Sequence, residues 1–221
     1  MPAQRIALIA GATGLTGRHL LEILLSDLRY STVHTLVRRT CRIAAAKLEE
    51  HVVDFERLPA LPDTDDVYCC LGTTIRKAGS QAAFRKVDFD YVVDLAAAAR
   101  QSGASRFLVV SAMGANAESA VFYNRIKGEM EQALVRIGFQ ALYIFQPSLL
   151  LGERHEARRG ERAGIAMLSA LAPLMLGPAR KYRPIDAGMV ARAMVVAAWT
   201  AAPGTIRFPS DQIALLGERT E

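Results

Sequence analysis

Residues 5–10, Arg-Ile-Ala-Leu-Ile-Ala, run straight into three glycines at three-residue spacing, Gly11, Gly14 and Gly17, after which leucines recur at 20, 21, 24 and 25. A short apolar run reads as a buried parallel strand, and the leucine spacing reads as one face of a helix. The chain therefore opens on a strand, a glycine turn and a helix, the arrangement that receives a dinucleotide. Each glycine has a separate task. Gly11 permits the tight turn, Gly14 removes the side chain that would hold a pyrophosphate off the backbone, and Gly17 lets the helix pack closely. The N–H groups at the start of that helix then face the phosphates.

Strand and helix signals alternate from there to about residue 150. Apolar runs at Val33–Val37, Val52–Asp54, Val67–Leu71, Phe107–Ser111 and Leu142–Gln146 read as strands. Ser80 suits the cap of one long helix over Gln81–Gln101, and a second helix over Phe122–Ile137 stops at Gly138. Alternation of this kind implies an α/β fold, a doubly wound Rossmann-type parallel sheet with helices on both faces and strand order 3-2-1-4-5-6. The 221 residues, 51% of them hydrophobic, are expected to form one domain over 1–221. Residues 152–221 carry helical patterns at Gly160–Leu176 and Ala187–Thr200 and too little strand for a second domain, so they are expected to cover the substrate side. The polar segment Glu153–Arg162 reads as part of that cover.

Composition and charge remove several function classes. The net charge is +5, but no stretch interleaves basic and aromatic residues, so no nucleic-acid partner is expected. Ile165–Leu176 is broken by Pro173 and falls short of the roughly 20 apolar residues that span a bilayer, so no membrane partner is expected either. Cys41, Cys69 and Cys70 form no CxxC pair and no leader precedes the first strand, which points to reduced thiols and a cytoplasmic location. His19, His34, His51 and His155 lie apart in sequence with no acidic or cysteine partner at ligand spacing, so no metal site is expected. Glu22, Glu129 and Glu131 read as solvated helix faces, and no GxSxG elbow points to a hydrolase.

Reaction chemistry is concentrated at Ser111, the end of the fifth strand, and at Tyr123 and Lys127. Residues four apart share a helix face, so the Lys127 ammonium sits beside the Tyr123 phenol and favours its ionised form. Such a phenol can pass a proton to a carbonyl oxygen as hydride arrives, or take one from an alcohol in reverse. Ser111 is expected to hold the same oxygen by a hydrogen bond. Arg38 follows the second strand, where an NAD enzyme usually places a carboxylate for the ribose hydroxyl. A guanidinium there suits a 2′-phosphate, so NADP(H) is the preferred cofactor, with NAD(H) second.

With these residues in place, the chain resembles the short-chain dehydrogenase/reductases, and within them the small atypical branch of Tat-interacting-protein-like oxidoreductases, often labelled nucleoside-diphosphate-sugar epimerase-like in bacteria. The resemblance covers nearly the whole chain. It rests on GATGLTGR at 11–18, VRR at 37–39, VDFERL at 53–58, CCLGTT at 69–74, VSAMGA at 110–115, FYNRIKGEMEQAL at 122–134 and PSLLLGERHEAR at 147–158. The resemblance implies NADP contacts from Thr13, Gly14, Leu15 and Thr16, from Arg38 and Arg39, from Leu71 and Gly72, and from Leu150 and Arg158. It assigns Tyr123 as proton donor or acceptor, Lys127 as its partner, and Ser111 as the carbonyl holder. Two positions depart from the family pattern. Ser111 is followed by Ala112 where relatives often have a second serine, and Asp88 stands where many carry an asparagine supporting a water chain to the lysine.

The expectation is an NADP-dependent oxidoreductase acting on a carbonyl or alcohol of a small organic substrate. A non-catalytic NADP(H)-binding regulator or sensor is the alternative, and a sugar-nucleotide epimerase or dehydratase the third reading. Monomer and homodimer stay open, as does the identity of the substrate.

Overall fold

The structure, a computed structural model, describes residues 4–41, 43–152 and 181–219. Seven parallel strands form the central sheet: β1 (Arg5–Ala10), β2 (Tyr30–Val37), β3 (Leu48–Val52), β4 (Asp66–Cys69), β5 (Arg106–Val110), β6 (Ala141–Gln146) and, from the C-terminal region, β9 (Gly204–Pro209). Their order is β3-β2-β1-β4-β5-β6-β9, the doubly wound arrangement with one strand added beyond β6. The order reverses between β1 and β4, and such a switch point opens a crevice outside the carboxyl ends of the strands.

Both faces of the sheet are buried, which is why its strands read as apolar runs without polar alternation. Along β1, Ala7 and Ile9 join one core with Leu20, Leu21 and Leu24 of α1 (Leu15–Ser26) and with Val190 and Met194 of α6 (Ala187–Thr200). Leu8 and Ala10 face the other way, toward Val92 and Leu95 of α4 (Tyr91–Gln101) and Met130 and Leu134 of α5 (Phe122–Ile137). α5 ends where its sequence says it must, at Gly138 in the left-handed region with φ +75°.

Several expectations are corrected. The third strand lies over Leu48–Val52 rather than Val52–Asp54, because it is an edge strand with Glu49, Glu50 and His51 in it and shows no apolar run. The long helix from Gln81 is interrupted: Ser80 does cap α3 (Gln81–Arg85), accepting from the Ala83 N–H at 3.1 Å, but Lys86–Asp90 then forms a π turn before α4 begins. π turns inside helices recur at functional positions. A four-residue helix, α2 (Ile75–Ala78), precedes them. The C-terminal region is also richer in strand than its sequence suggested. Besides β9 it contributes β8 (Ile185–Asp186), which pairs in parallel with β7 (Leu150–Leu151), and it ends on α7 (Ser210–Gly217). The helical pattern Gly160–Leu176 and the segment Glu153–Arg162 lie outside the described residues.

Candidate active site

The glycine loop is shaped by contacts that leave no room for side chains. Gly11 has φ +88°, and a Cβ there would lie 2.6 Å from the Cys70 carbonyl carbon, so the loop is pressed against the end of β4. A Cβ on Gly17 would fall on the Gly11 carbonyl, so the helix packs against its own entry loop rather than against the strand alone. Gly14 is the N-cap of α1 with no side-chain cap, and the first turn holds no acidic residue. Among the described residues, its N–H groups and the positive end of the helix dipole meet no anionic side chain. Thr13 is exposed, Leu15 half-buried and Thr16 buried. A Cβ on Gly152 would meet the Leu15 side chain at 2.6 Å, which brings the residues just past Leu150 onto the same loop. These features fit a dinucleotide pyrophosphate. Arg38 and Arg39, both exposed, follow the end of β2 on the same edge of the sheet. Arg158 lies outside the described residues.

The second half of the site is built on one face of α5. Lys127 is 4% exposed and its Nζ lies 2.8 Å from Asp88 Oδ1. Burial pushes the lysine pKa down, but the Asp88 carboxylate, followed by the Tyr123 phenol, outweighs it, and the pKa is held above the usual lysine value. Asp88 is itself buried and accepts the Thr73 N–H on its other oxygen at 2.8 Å. The π turn therefore ties Lys127 to the loop after β4 that carries Leu71 and Gly72. A Cβ on Gly72 would stand 3.3 Å from Asp88 Oδ1. Asp88, standing where relatives carry an asparagine that supports a water chain, contacts the lysine directly.

Tyr123 packs its ring against Phe84 of α3, centroids 5.5 Å apart, and its hydroxyl has no hydrogen-bond partner among the described residues. The helix can lie this close because of Gly128. A Cβ there would collide with the backbone of Asn116 and Ala117, so the residue after Lys127 is a contact point for the loop that follows Ser111. Gly128 was not among the expected site residues, although a glycine inside an otherwise regular helix is the signal for a close approach.

Glu131 corrects the sequence reading most. It is 3% exposed rather than solvated, and it continues the Tyr123, Lys127 face at the next four-residue step. Ser111 Oγ donates to Glu131 Oε1 at 2.6 Å, Gln146 Nε2 donates to both carboxylate oxygens at 2.9 and 3.1 Å, and Arg207 Nε of β9 reaches Oε2 at 3.0 Å. The single hydroxyl proton of Ser111 is thus directed at a carboxylate. To hold a substrate carbonyl as expected, Ser111 would have to release this bond, leaving Glu131 to Gln146 and Arg207.

Cys69 is buried in β4 and its thiol is pushed up to about 12, first by burial, which leaves it an unreactive core residue. Two of the four histidines, expected to lie apart, meet in space: His34 of β2 and His51 of β3 approach to 3.0 Å with Glu49 beside them.

A family model described as NAD(P)H-binding matches residues 11–148, more than half of the chain, from the glycine loop through β6. The chain belongs to this NAD(P)H-binding family. Among relatives, the protein HTATIP2 of Rattus norvegicus is 39% identical over 160 residues, covering 69% of this chain and 66% of the rat protein. The mitochondrial protein fmp52 of Aspergillus fumigatus is 32% identical over 222 residues, 96% of this chain and 94% of the fungal one. The resemblance to the Tat-interacting-protein-like branch is thereby borne out. Among solved structures, MoeE5 in complex with UDP-glucose and NAD superposes with a TM-score of 0.67 at 17% identity, over 91% of this chain and 74% of that one. A UDP-N-acetylglucosamine 4-epimerase from Methanobrevibacter ruminantium gives 0.69 at 14% identity, over 94% and 77%. At these identities the likeness establishes the Rossmann-type fold. No helix among the described residues is long and apolar enough to cross a membrane.

Proposed function

We propose that this NAD(P)H-binding protein is an NADP-dependent oxidoreductase that moves a hydride between the cofactor and a carbonyl or alcohol carbon of a small organic substrate. The observation that carries the reading is the run from Asp88 through Lys127 to Tyr123. A buried ammonium, kept charged by one carboxylate, stands one helical turn from a phenol whose hydroxyl is uncommitted among the described residues. A surface tyrosine–lysine pair would need neither the burial nor Asp88.

The nicotinamide supplies or receives the hydride when bound. The rest of the work belongs to the chain. Loop N–H groups at the start of α1 bind the pyrophosphate, and Arg38 with Arg39 would take the 2′-phosphate through charge-assisted hydrogen bonds. Tyr123 gives its hydroxyl proton to the substrate oxygen during reduction, and the Lys127 charge stabilises the phenolate left behind. Of the three Lys127 donors, Asp88 engages one, which leaves donors for the ribose hydroxyls. Glu131 orients Ser111 at the edge of the same face.

The test is a panel of carbonyl compounds followed by NADPH absorbance, with Tyr123→Phe run beside the wild type. Turnover is expected to fall about 100- to 10,000-fold in the variant while NADPH affinity changes little. Full turnover in Tyr123→Phe would refute the mechanism, and a panel without any substrate would favour the sensor reading. Cofactor choice is tested separately by dissociation constants for NADPH and NADH. Arg38→Ala should lose about 1.5–3 kcal/mol of binding toward NADPH alone, and equal wild-type affinity for both cofactors would sink the NADP assignment.

A further inference from the structure

We propose that His34, Glu49 and His51 form a zinc site on the β2–β3 edge of the sheet, independent of the dinucleotide site. His34 on β2 is paired in register with Glu49 on β3, and Leu36 with His51, so all three side chains leave the same face of two adjacent strands. Their ligand atoms converge. His34 Nδ1 lies 3.0 Å from His51 Nε2 and 3.4 Å from Glu49 Oε2, and the three atoms all fall within 4.8 Å of one another. Around a tetrahedral zinc with bonds near 2.0–2.1 Å, ligand atoms stand roughly 3.3–3.4 Å apart. The two separations from His34 are close to that edge length and the third pair lies within 4.8 Å, so an ion can be reached by side-chain adjustment.

Two imidazoles and one carboxylate are a zinc ligand set that leaves a fourth position for water. The surroundings suit it. His34 is buried at 6% exposure and sits in a strand flanked on both sides, so its ring is held by the sheet, while Glu49 on the edge strand is exposed and gives the ion a way in. An ion here would also pin β3, whose pairing to the sheet runs through β2 alone.

The experiment uses the full chain, stripped with a chelator and dialysed, and titrates it with zinc chloride by calorimetry while cobalt(II) serves as the absorbing substitute. The wild type is expected to take up one Zn²⁺ per chain in the micromolar range or tighter, with a zinc-dependent rise in thermal midpoint. Cobalt should give visible bands of low coordination number without thiolate charge transfer. Glu49→Gln and His51→Gln, both on the edge strand, should each weaken zinc by at least about 10-fold and lose the thermal shift, with circular dichroism unchanged. Should either variant misfold, the wild-type titration decides alone. Uptake below one equivalent, variants that bind as the wild type does, or a cobalt–thiolate band would each overturn the site, the first leaving His34 and His51 as a hydrogen-bonded pair.

Discussion

The two ends of the sheet each bury a carboxylate, and the difference between them separates stability from function. Asp66, at the start of β4, is fully buried and saturated: Tyr30 OH donates to it at 2.7 Å, Arg106 at 3.0 Å and Arg5 at 3.2 Å. Since the Tyr30 proton is spent there, the 2.7 Å contact between the Tyr30 and Tyr68 hydroxyls makes Tyr68 the donor. Arg5 is further fixed by stacking 3.6 Å over the Trp199 ring and by donating to the Ala198 carbonyl, which ties β1 and β4 to α6. At the other end, Asp88 has two partners and the Lys127 it holds has donors left over among the described residues. A fully satisfied network rigidifies, whereas the Asp88–Lys127 pair keeps donors that the proposed function assigns to the cofactor ribose.

That contrast breaks most easily at Lys127. Lys127→Met should lower turnover at least about 100-fold and, by leaving Asp88 charged and unpaired, cost about 3–5 kcal/mol of stability. Adding Asp88→Asn should return most of the stability and none of the turnover; recovery of both, read by denaturant titration and by NADPH oxidation, would make the site-end pair structural. Next comes Asp66→Ala, which strands two guanidinium groups and should cost a similar 3–5 kcal/mol while NADPH affinity stays at the wild-type value. A parallel loss of affinity in a still-folded variant would couple the two ends.

The smallest effect is the response to alkali. Burial, with Asp66 beside it, raises the Tyr30 pKa above its ordinary 10.0, and burial with Tyr30 beside it raises that of Tyr68. Above pH 10 the unfolded chain releases these two phenolic protons while the folded chain retains them, so the phenols' contribution is complete below that pH and falls as the pH rises, by up to about 1.4 kcal/mol per pH unit for each, on top of the loss that the buried thiols Cys69 and Cys70, raised from 9.0, begin above pH 9. Lys127, raised above 10.5, adds a loss that begins only beyond that value. Tyr30→Phe combined with Tyr68→Phe should make the fall between pH 10 and 10.5 shallower, leaving the part due to Cys69, Cys70, Tyr91 and Tyr143, measured by urea midpoints; an unchanged slope would place the titrating groups elsewhere.

Gly11, Gly14 and Gly17 and the pair Tyr123 and Lys127 were legible because their meaning is local: a turn geometry in one case and a four-residue helical step in the other. The same step continued once more reaches Glu131, so its place on the face of Tyr123 and Lys127 was readable, but its burial was not. Nothing near Glu131 in sequence distinguishes it from Glu129, which is part-exposed and pairs with Arg85. Its partners come from Ser111, from Gln146 on β6 and from Arg207, 76 residues away on a strand whose sequence shows no apolar run.

By itself the sequence determined the parallel αβ alternation, the strand order through β6, the nucleotide loop and the helix face that carries the phenol and ammonium, since each follows from periodicity and turn chemistry over a few residues. Tertiary structure alone decided which charges are paired. Asp88 reaches Lys127 because a π turn carries it inward, and His34 meets His51 because β3 aligns beside β2 in one register. Both depend on how distant segments pack, and in a buried setting such pairing, rather than residue type, determines whether a charged group stabilises the fold, waits for a ligand or binds a metal.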